Sequence, residues 1–243
     1  MSTTTVEINS QANELYCKTK VIQKFKNESN NPLELKINVD KNKKCIFTSF
    51  NAKIGDSIEV KSKVIKNSEA ERKYPDSIAS GNAAIFVSND PKNSDRIIIN
   101  MGNIPPKQLV IFTSEFIQYI ESSDSYEFEL FRNLPIFYEK NSVFQNSEIK
   151  GTIEIKTRNE IAKINRPVLS ENLKILEEKY LNKNKCEYFI KYEYNNLPIL
   201  ITNYDDDYIP SSKICFEIDY KEPICFCQKS LKENELNYII QYK

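Results

Sequence analysis

The sequence predicts a mainly β fold interrupted by one short helix, and three observations lead there. Short segments alternate apolar and polar residues with the period of two that half-buried strands require. Clusters of Asn, Ser, Asp and Pro, the residues that hold turns, separate those segments. Helix start and stop signals coincide at one place, between Asn67 and Gly81. With 243 residues, the chain suits one large or two small domains, either able to bury a core.

Taken in order, residues 1–11 are polar and lack the apolar run of a secretory signal. Residues 15–25 alternate loosely, and 27–32 form a turn cluster. Residues 33–39 alternate clearly, with Leu33, Leu35, Ile37 and Val39 on one side. A polar turn at 40–44 precedes a strand at 45–51, and 57–65 alternates again with Ile58 and Val60 inward. The helix signal spans 67–74. Asn67 or Ser68 serves as cap, and Glu69 and Glu71 sit in the first turn, where the helix dipole favours negative charge. Ala70 and Tyr74 share a face. Pro75 is expected to break or kink the helix, because it lacks an N–H and crowds the preceding turn. Gly81 supplies a permissive backbone just past the end.

Strands follow at 83–87 and 96–101. Gly102-Asn103-Ile104-Pro105-Pro106 cannot continue a ladder through two prolines, so it is expected to leave the sheet as a stiff loop. Residues 109–120 and 126–131 flank a turn at 121–125, and the first domain closes near Leu134. Beyond it, 148–156 sets Ile149, Gly151, Ile153 and Ile155 on one side. Residues 173–181 suit a short helix or a strand, while 186–194, 199–202, 213–220, 224–227 and 236–242 read as strands. Two units are expected, 1–138 and 139–243.

The ordered set Glu69-Ala70, Tyr74, Ala79, Gly81, Ala84 and Gly102-Asn103-Ile104-Pro105-Pro106 resembles the vault protein inter-alpha-trypsin (VIT) domain family. Phe25-Lys26-Asn27, Pro32 to Glu34, and Phe50 with Ile54-Gly55-Asp56 fall where that family places its first strands. Phe116-Ile117-Gln118-Tyr119 resembles its closing strand, and Leu134-Pro135 with Tyr138 its exit segment. The match covers residues 15–138. Pro75 departs from the family's helix. The resemblance implies a VIT-type β-sandwich with one inserted helix, followed by a small β-rich domain like the segment that often precedes a von Willebrand A domain. In that family the VIT domain accompanies von Willebrand A modules in the inter-alpha-trypsin inhibitor heavy chains and in a poly(ADP-ribose) polymerase of the vault particle.

Composition narrows the chemistry. Thirty-four basic and thirty-four acidic residues cancel, so nothing electrostatic argues for nucleic acid. Histidine is absent, which removes Ser-His-Asp and Cys-His nucleophile systems and His-ligated metal sites. Cys225 and Cys227 would share one side of a strand, but two thiols make a poor metal site, and buried apolar cysteines are the simpler reading. Asp205-Asp206-Asp207 sits as a solvated turn would. Glu177-Glu178 carries no mark of an acid/base pair. The six cysteines read as reduced thiols, and Asn27-Glu28-Ser29 fits a glycosylation sequon that an intracellular chain would leave unmodified. No apolar run reaches bilayer length.

The expected role is therefore a cytoplasmic, non-enzymatic interaction or assembly module with a protein partner. Neither cofactor nor metal is expected, and neither nucleic acid nor a membrane span. The alternative is the amino-terminal part of a truncated or split VIT/von Willebrand A metal-dependent adhesion protein; the latter domain's Asp-x-Ser-x-Ser motif does not occur. The partner surface is expected at Gly81, Gly102, Asn103, Ile104, Pro105 and Pro106. A stiff loop loses little entropy on docking, although the same turn would equally serve to fix strand register.

Overall fold

Alternating side chains need a partner layer, and the described residues supply three sheets and a helix to meet that need. The structure, a computed structural model, describes residues 4–40, 45–56, 58–61, 67–93, 96–122, 126–130, 136–138, 147–165, 173–194 and 214–221. In chain order the elements are β1 (Thr4–Ala12), β2 (Tyr16–Lys26), β3 (Leu33–Asp40), β4 (Cys45–Ile54), β5 (Ile58–Lys61) and α1 (Asn67–Ala79). Next come β6 (Ala84–Asn89), β7 (Arg96–Ile104), β8 (Leu109–Tyr119), β9 (Glu121–Ser122), β10 (Tyr126–Leu130) and β11 (Ile136–Tyr138). Last are β12 (Ser147–Lys156), β13 (Ile161–Asn165), β14 (Leu173–Tyr180), β15 (Glu187–Tyr194) and β16 (Ile214–Tyr220).

Eight strands form the main sheet in the order β14-β15-β12-β1-β2-β8-β4-β5. A second sheet runs β11-β3-β7-β6, and a third β13-β16-β10-β9. Val21 and Phe25 of β2, Phe50 and Ala52 of β4, and Val110, Phe112 and Phe116 of β8 line the main sheet's inner face. Leu35 of β3 and Ile97, Ile99 and Met101 of β7 join them from the second sheet in one buried cluster. This is a β-sandwich. Each of these larger side chains, fully buried, contributes roughly 1.5–3 kcal/mol relative to exposure.

The helix covers the other face of the second sheet. Tyr74 stacks on Phe86 of β6, ring centroids 5.8 Å apart. Tyr74 and Ile78 close over Gly102 of β7, where an added Cβ would lie 2.3 Å from Ile78 Cδ1 and 3.0 Å from Tyr74 Oη. Only a residue without a side chain lets the helix sit that close. Ala70 is half-buried, as a residue on Tyr74's face should be.

The structure settles three segments, one given no element by the sequence, one expected to end sooner and one left open. The polar amino terminus is strand β1, whose Val6, Ile8, Ser10 and Ala12 face inward while Thr5, Glu7 and Gln11 stay exposed. The helix does not stop at Pro75 but continues to Ala79. Pro75 and Glu71, whose carbonyl a residue with an N–H at 75 would meet, both lie on the exposed side, where that omission costs least. Residues 173–180 are strand β14, resolving the helix-or-strand ambiguity toward strand.

The main sheet also passes across the 138/139 position. β12 lies parallel to β1, Thr4 opposite Ser147 through Ala12 opposite Ile155, and antiparallel to β15. Ile149, Ile153 and Ile155 face inward as the alternation requires. At Gly151 the ring of Tyr192 fills the side-chain position, and an added Cβ would stand 2.6 Å from the Ile8 carbonyl oxygen. The strand readings at 199–202, 224–227 and 236–242, and the Asp205–Asp207 turn, lie outside the described residues.

Candidate functional site

β7 belongs to the second sheet and β8 to the first, so the four residues between them carry the chain around a corner of the sandwich. Two prolines serve such a corner because neither can bond into a ladder. Pro105 and Pro106 occupy it, outside both strands, but the expected loop is shorter than the sequence suggests. Gly102, Asn103 and Ile104 stay in β7, with Gly102 opposite Ala84 and Ile104 opposite Leu33, because only the two prolines lack the N–H a ladder needs. The turn is held from one side by Asn27, at the end of β2. The Asn27 side-chain amide donates to the carbonyl oxygens of Asn31 (3.0 Å), Ile104 (3.0 Å) and Pro105 (3.1 Å), sharing its two hydrogens among them. Its own carbonyl oxygen accepts from the backbone N–H and the hydroxyl of Ser29. On the main chain, Asn27 N–H donates to Gln108 and Lys107 N–H donates to Asn27.

Asn103 holds the other side. It takes φ 54°, a left-handed conformation that Asn tolerates better than most residues. Its amide donates to the carbonyls of Ile78 (2.8 Å) and Asn82 (3.2 Å). Ile78 is in the helix's last turn, where carbonyls have no intrahelical donor, so Asn103 acts as a C-terminal cap from another element. Gly81, at φ 77°, ends the helix as expected and donates its N–H to Ile78.

The expected contact residues are thus brought to one corner but not to one surface. Gly81 is exposed, and Pro105, Pro106 and Asn103 are half-buried. Gly102 is buried beneath the helix, and Ile104 is 0% exposed, a core residue. What the corner presents outward is Ser80, Gly81, Asn82 and Lys107. Asn27 escaped the sequence reading because Asn-Glu-Ser within a polar cluster reads as a turn or a sequon. The signal available was position: Asn27 continues the odd-numbered inward face of Val21, Gln23 and Phe25.

A second feature opens at the far end of the helix. Between the sheets lies a groove of about 820 Å³, with Phe47, Val87, Ile97 and Ile46 on its walls and Glu71 at its rim. The second sheet is narrower than the main one, and among the described residues no strand lies beyond β6 over this interlayer space.

The titratable groups with shifted affinities are structural. Burial pushes the Cys17 thiol up to about 11, against lesser opposing hydrogen bonds from Thr19 and Ser10. Burial, then the nearby Cys17, raises the Tyr192 hydroxyl. Tyr74 is raised by burial and secondarily by Glu34. Glu177, fully exposed, is held low by its hydrogen bond and attraction to Lys179. Cys17, Cys45 and Cys186 are free thiols; the Cys215, Cys225 and Cys227 side chains lie outside the described ones. Among the described residues no group of three or more Cys, Asp or Glu is placed to hold a metal ion, and no helix is long and apolar enough to cross a membrane.

The family model of the vault protein inter-alpha-trypsin domain matches residues 3–116. The chain carries a VIT domain. The VIT match takes in β1, which the residue-based resemblance leaves out, and ends within β8. No curated protein matches the sequence. Among solved structures, the chain is similar to the full-length major pilin SpaD of Corynebacterium diphtheriae, at 9% identity and a TM-score of 0.33. That alignment covers 92% of this chain and 57% of the pilin, so the chain spans just over half its length. BcpA, the major pilin subunit of Bacillus cereus, gives 10% identity, a TM-score of 0.33 and coverage of 90% and 67%. A 35 kDa C-terminal fragment of the Streptococcus agalactiae major pilin GBS80 gives 11% identity, a TM-score of 0.29 and coverage of 90% and 91%.

Proposed function

We propose that this chain is a non-catalytic protein-interaction or assembly module working in the cytoplasm. The VIT domain is the observation that supports the reading, since it marks the chain as carrying a modular β domain. Three free thiols, two of them buried in the sandwich, fit a reducing compartment. The corner fits a contact surface in a physical sense: Asn27 and Asn103 fix its backbone from both sides, so docking there orders little that is not already ordered. Ser80, Gly81, Asn82 and Lys107 form the face that a partner would meet.

The test is affinity capture of the full chain from native extract, wild type against Asn82→Arg, with thermal midpoints matched first. Asn82 is exposed and contributes its backbone, not its side chain, to the Asn103 cap, so the variant should fold. Companions enriched with wild type and reduced at least fivefold with the variant are expected. Companions retained by the variant would remove the corner from the proposal, and no companion with either chain would overturn the module reading itself.

A further inference from the structure

Among the described residues six strand edges end the three sheets, and all but one carry a guard of their own. β5 has four residues, of which Glu59 and Lys61 are charged. β9 has two residues and β11 three, too few for a partner to grip. β13 carries a register shift between Ile161 and Lys163. β14 carries another between Ile175 and Glu177, along with Lys174, Glu178 and Lys179. Bulges, charges and shortness are the usual means by which an edge is closed to further pairing. β6 has none of them; α1 packs on its outer face through the Tyr74–Phe86 stack and brings Glu71 to the rim of the groove. The strand's six residues, Ala84-Ile85-Phe86-Val87-Ser88-Asn89, hold no charge and no proline, and they pair with β7 in unbroken register.

The backbone phase of that edge follows from its end. Asp90 N–H donates to the Arg96 carbonyl at 2.9 Å, and hydrogen-bonded pairs alternate along an antiparallel ladder. Ser88, Phe86 and Ala84 therefore turn their N–H and C=O toward β7, while Asn89, Val87 and Ile85 turn theirs outward. Among the described residues none of those outward groups has a backbone partner. The side chains of Ile85 and Val87 point toward the core, so a strand laid beside β6 would place its opposing side chains in the same interlayer space. That space is the groove walled by Phe47, Val87 and Ile97.

We propose that β6 and the groove beside it form a β-augmentation site that takes an extended peptide of a protein partner, with apolar side chains at alternate positions. The backbone edge supplies hydrogen bonds and the groove selects the side chains. A second copy of this chain fits less well. A stable interface engages about 20–30 residues a side, whereas two such edges joined about a two-fold would offer six each. A single peptide strand can use edge and groove together. The proposal rests on the interaction-module reading and names its partner class.

The probe is a labelled peptide, acetyl-Lys-Thr-Val-Thr-Val-Thr-Val-Lys-amide, titrated into the full chain by fluorescence anisotropy. Two N-methylated versions accompany it, one blocking the valine N–H groups and one the threonine N–H groups. Alternate N–H groups of an added strand face β6, so one version should lose at least tenfold in affinity while the other binds like the parent. Asn89→Pro removes an outward N–H from an exposed edge residue without touching the β7 bonds and should cost at least fivefold. Ile46→Glu places a charge on the groove wall at a position 65% exposed and should also weaken binding. No saturable binding, equal sensitivity to both N-methylations, or unchanged affinity in Asn89→Pro would overturn the proposal. Sedimentation of the full chain separates the occupants: a dimer abolished by Asn89→Pro would assign the edge to a second copy and overturn the peptide. Unchanged peptide affinity in Asn89→Pro, with extract companions still enriched by wild type, would overturn this proposal and leave the module reading standing.

Discussion

Asn27 does more at the corner than any other single side chain, and its removal should show it. Asn27→Ala deletes one amide that serves the carbonyls of Asn31, Ile104 and Pro105 and accepts from Ser29. Stranding buried backbone acceptors costs about 1–3 kcal/mol each; allowing for partial rescue by solvent at the rim, a loss of about 2–4 kcal/mol in urea unfolding is expected. A loss below about 0.5 kcal/mol would mean the corner holds itself. The thiols give a second residue-scale test. Cys186, half-buried, should alkylate in the native protein well ahead of Cys17 and Cys45, both buried. Cys17 binds its proton more tightly folded, its value moving from 9.0 to about 11. That contribution to stability is complete below pH about 9 and is lost as pH rises through about 11. Stability of wild type relative to Cys17→Ala should therefore fall across that window.

At the scale of elements, the helix is held to its sheet by a missing side chain. Gly102→Ala should cost roughly 1–2 kcal/mol, because the methyl meets Ile78 Cδ1, the mobile tip of a side chain that can yield at some cost in packing. Ile78→Ala in the same chain should relieve that clash, leaving the pair less destabilising than the sum of the singles. Additive losses would deny the contact. Here the sequence was legible in part. Tyr74 on the inner helical face, Gly81 at the helix end and the paired prolines at the sheet crossing follow from backbone chemistry alone. The extension of α1 through Pro75 does not, because it depends on which side of the helix faces solvent, and one residue type cannot report that. β1 leaves no clear trace in the sequence for a different reason. Its Val6, Ile8, Ser10 and Ala12 alternate correctly, but small and polar residues at two inward positions, beside Thr and Gln, weaken the apolar signal that would name a strand.

For the whole molecule, the seam between β1 and β12 decides how the chain unfolds. Gly151→Ala should cost more than Gly102→Ala, several kcal/mol, because its methyl meets the Ile8 backbone at 2.6 Å as well as the Tyr192 ring, and backbone yields only by parting two strands. Fluorescence labels placed at exposed Lys53 and Lys191 should report one common urea midpoint, since a single sheet runs between β4 and β15. Two separated midpoints would show that the sheet does not transmit cooperativity. The candidate corner was legible as a location, and not as a surface: that Ile104 is core and Asn103 a cap depends on contacts with residues 25 and 21 positions away, which spacing along the chain cannot reveal.

That same parallel seam has a consequence for the order in which the protein is made. β1 and β2 can pair as soon as residue 26 has emerged, but β1's other neighbour is not complete until residue 155. At about 5–20 residues per second, the interval is roughly 6–26 s. Throughout it β1 is a bare margin of the growing sheet, with Glu7 its one charged guard. On a crowded messenger the nearest segment able to fill that place in correct register is β12 of the chain translated just ahead, so slow synthesis between residues 26 and 147 is the condition under which two sister chains would exchange strands.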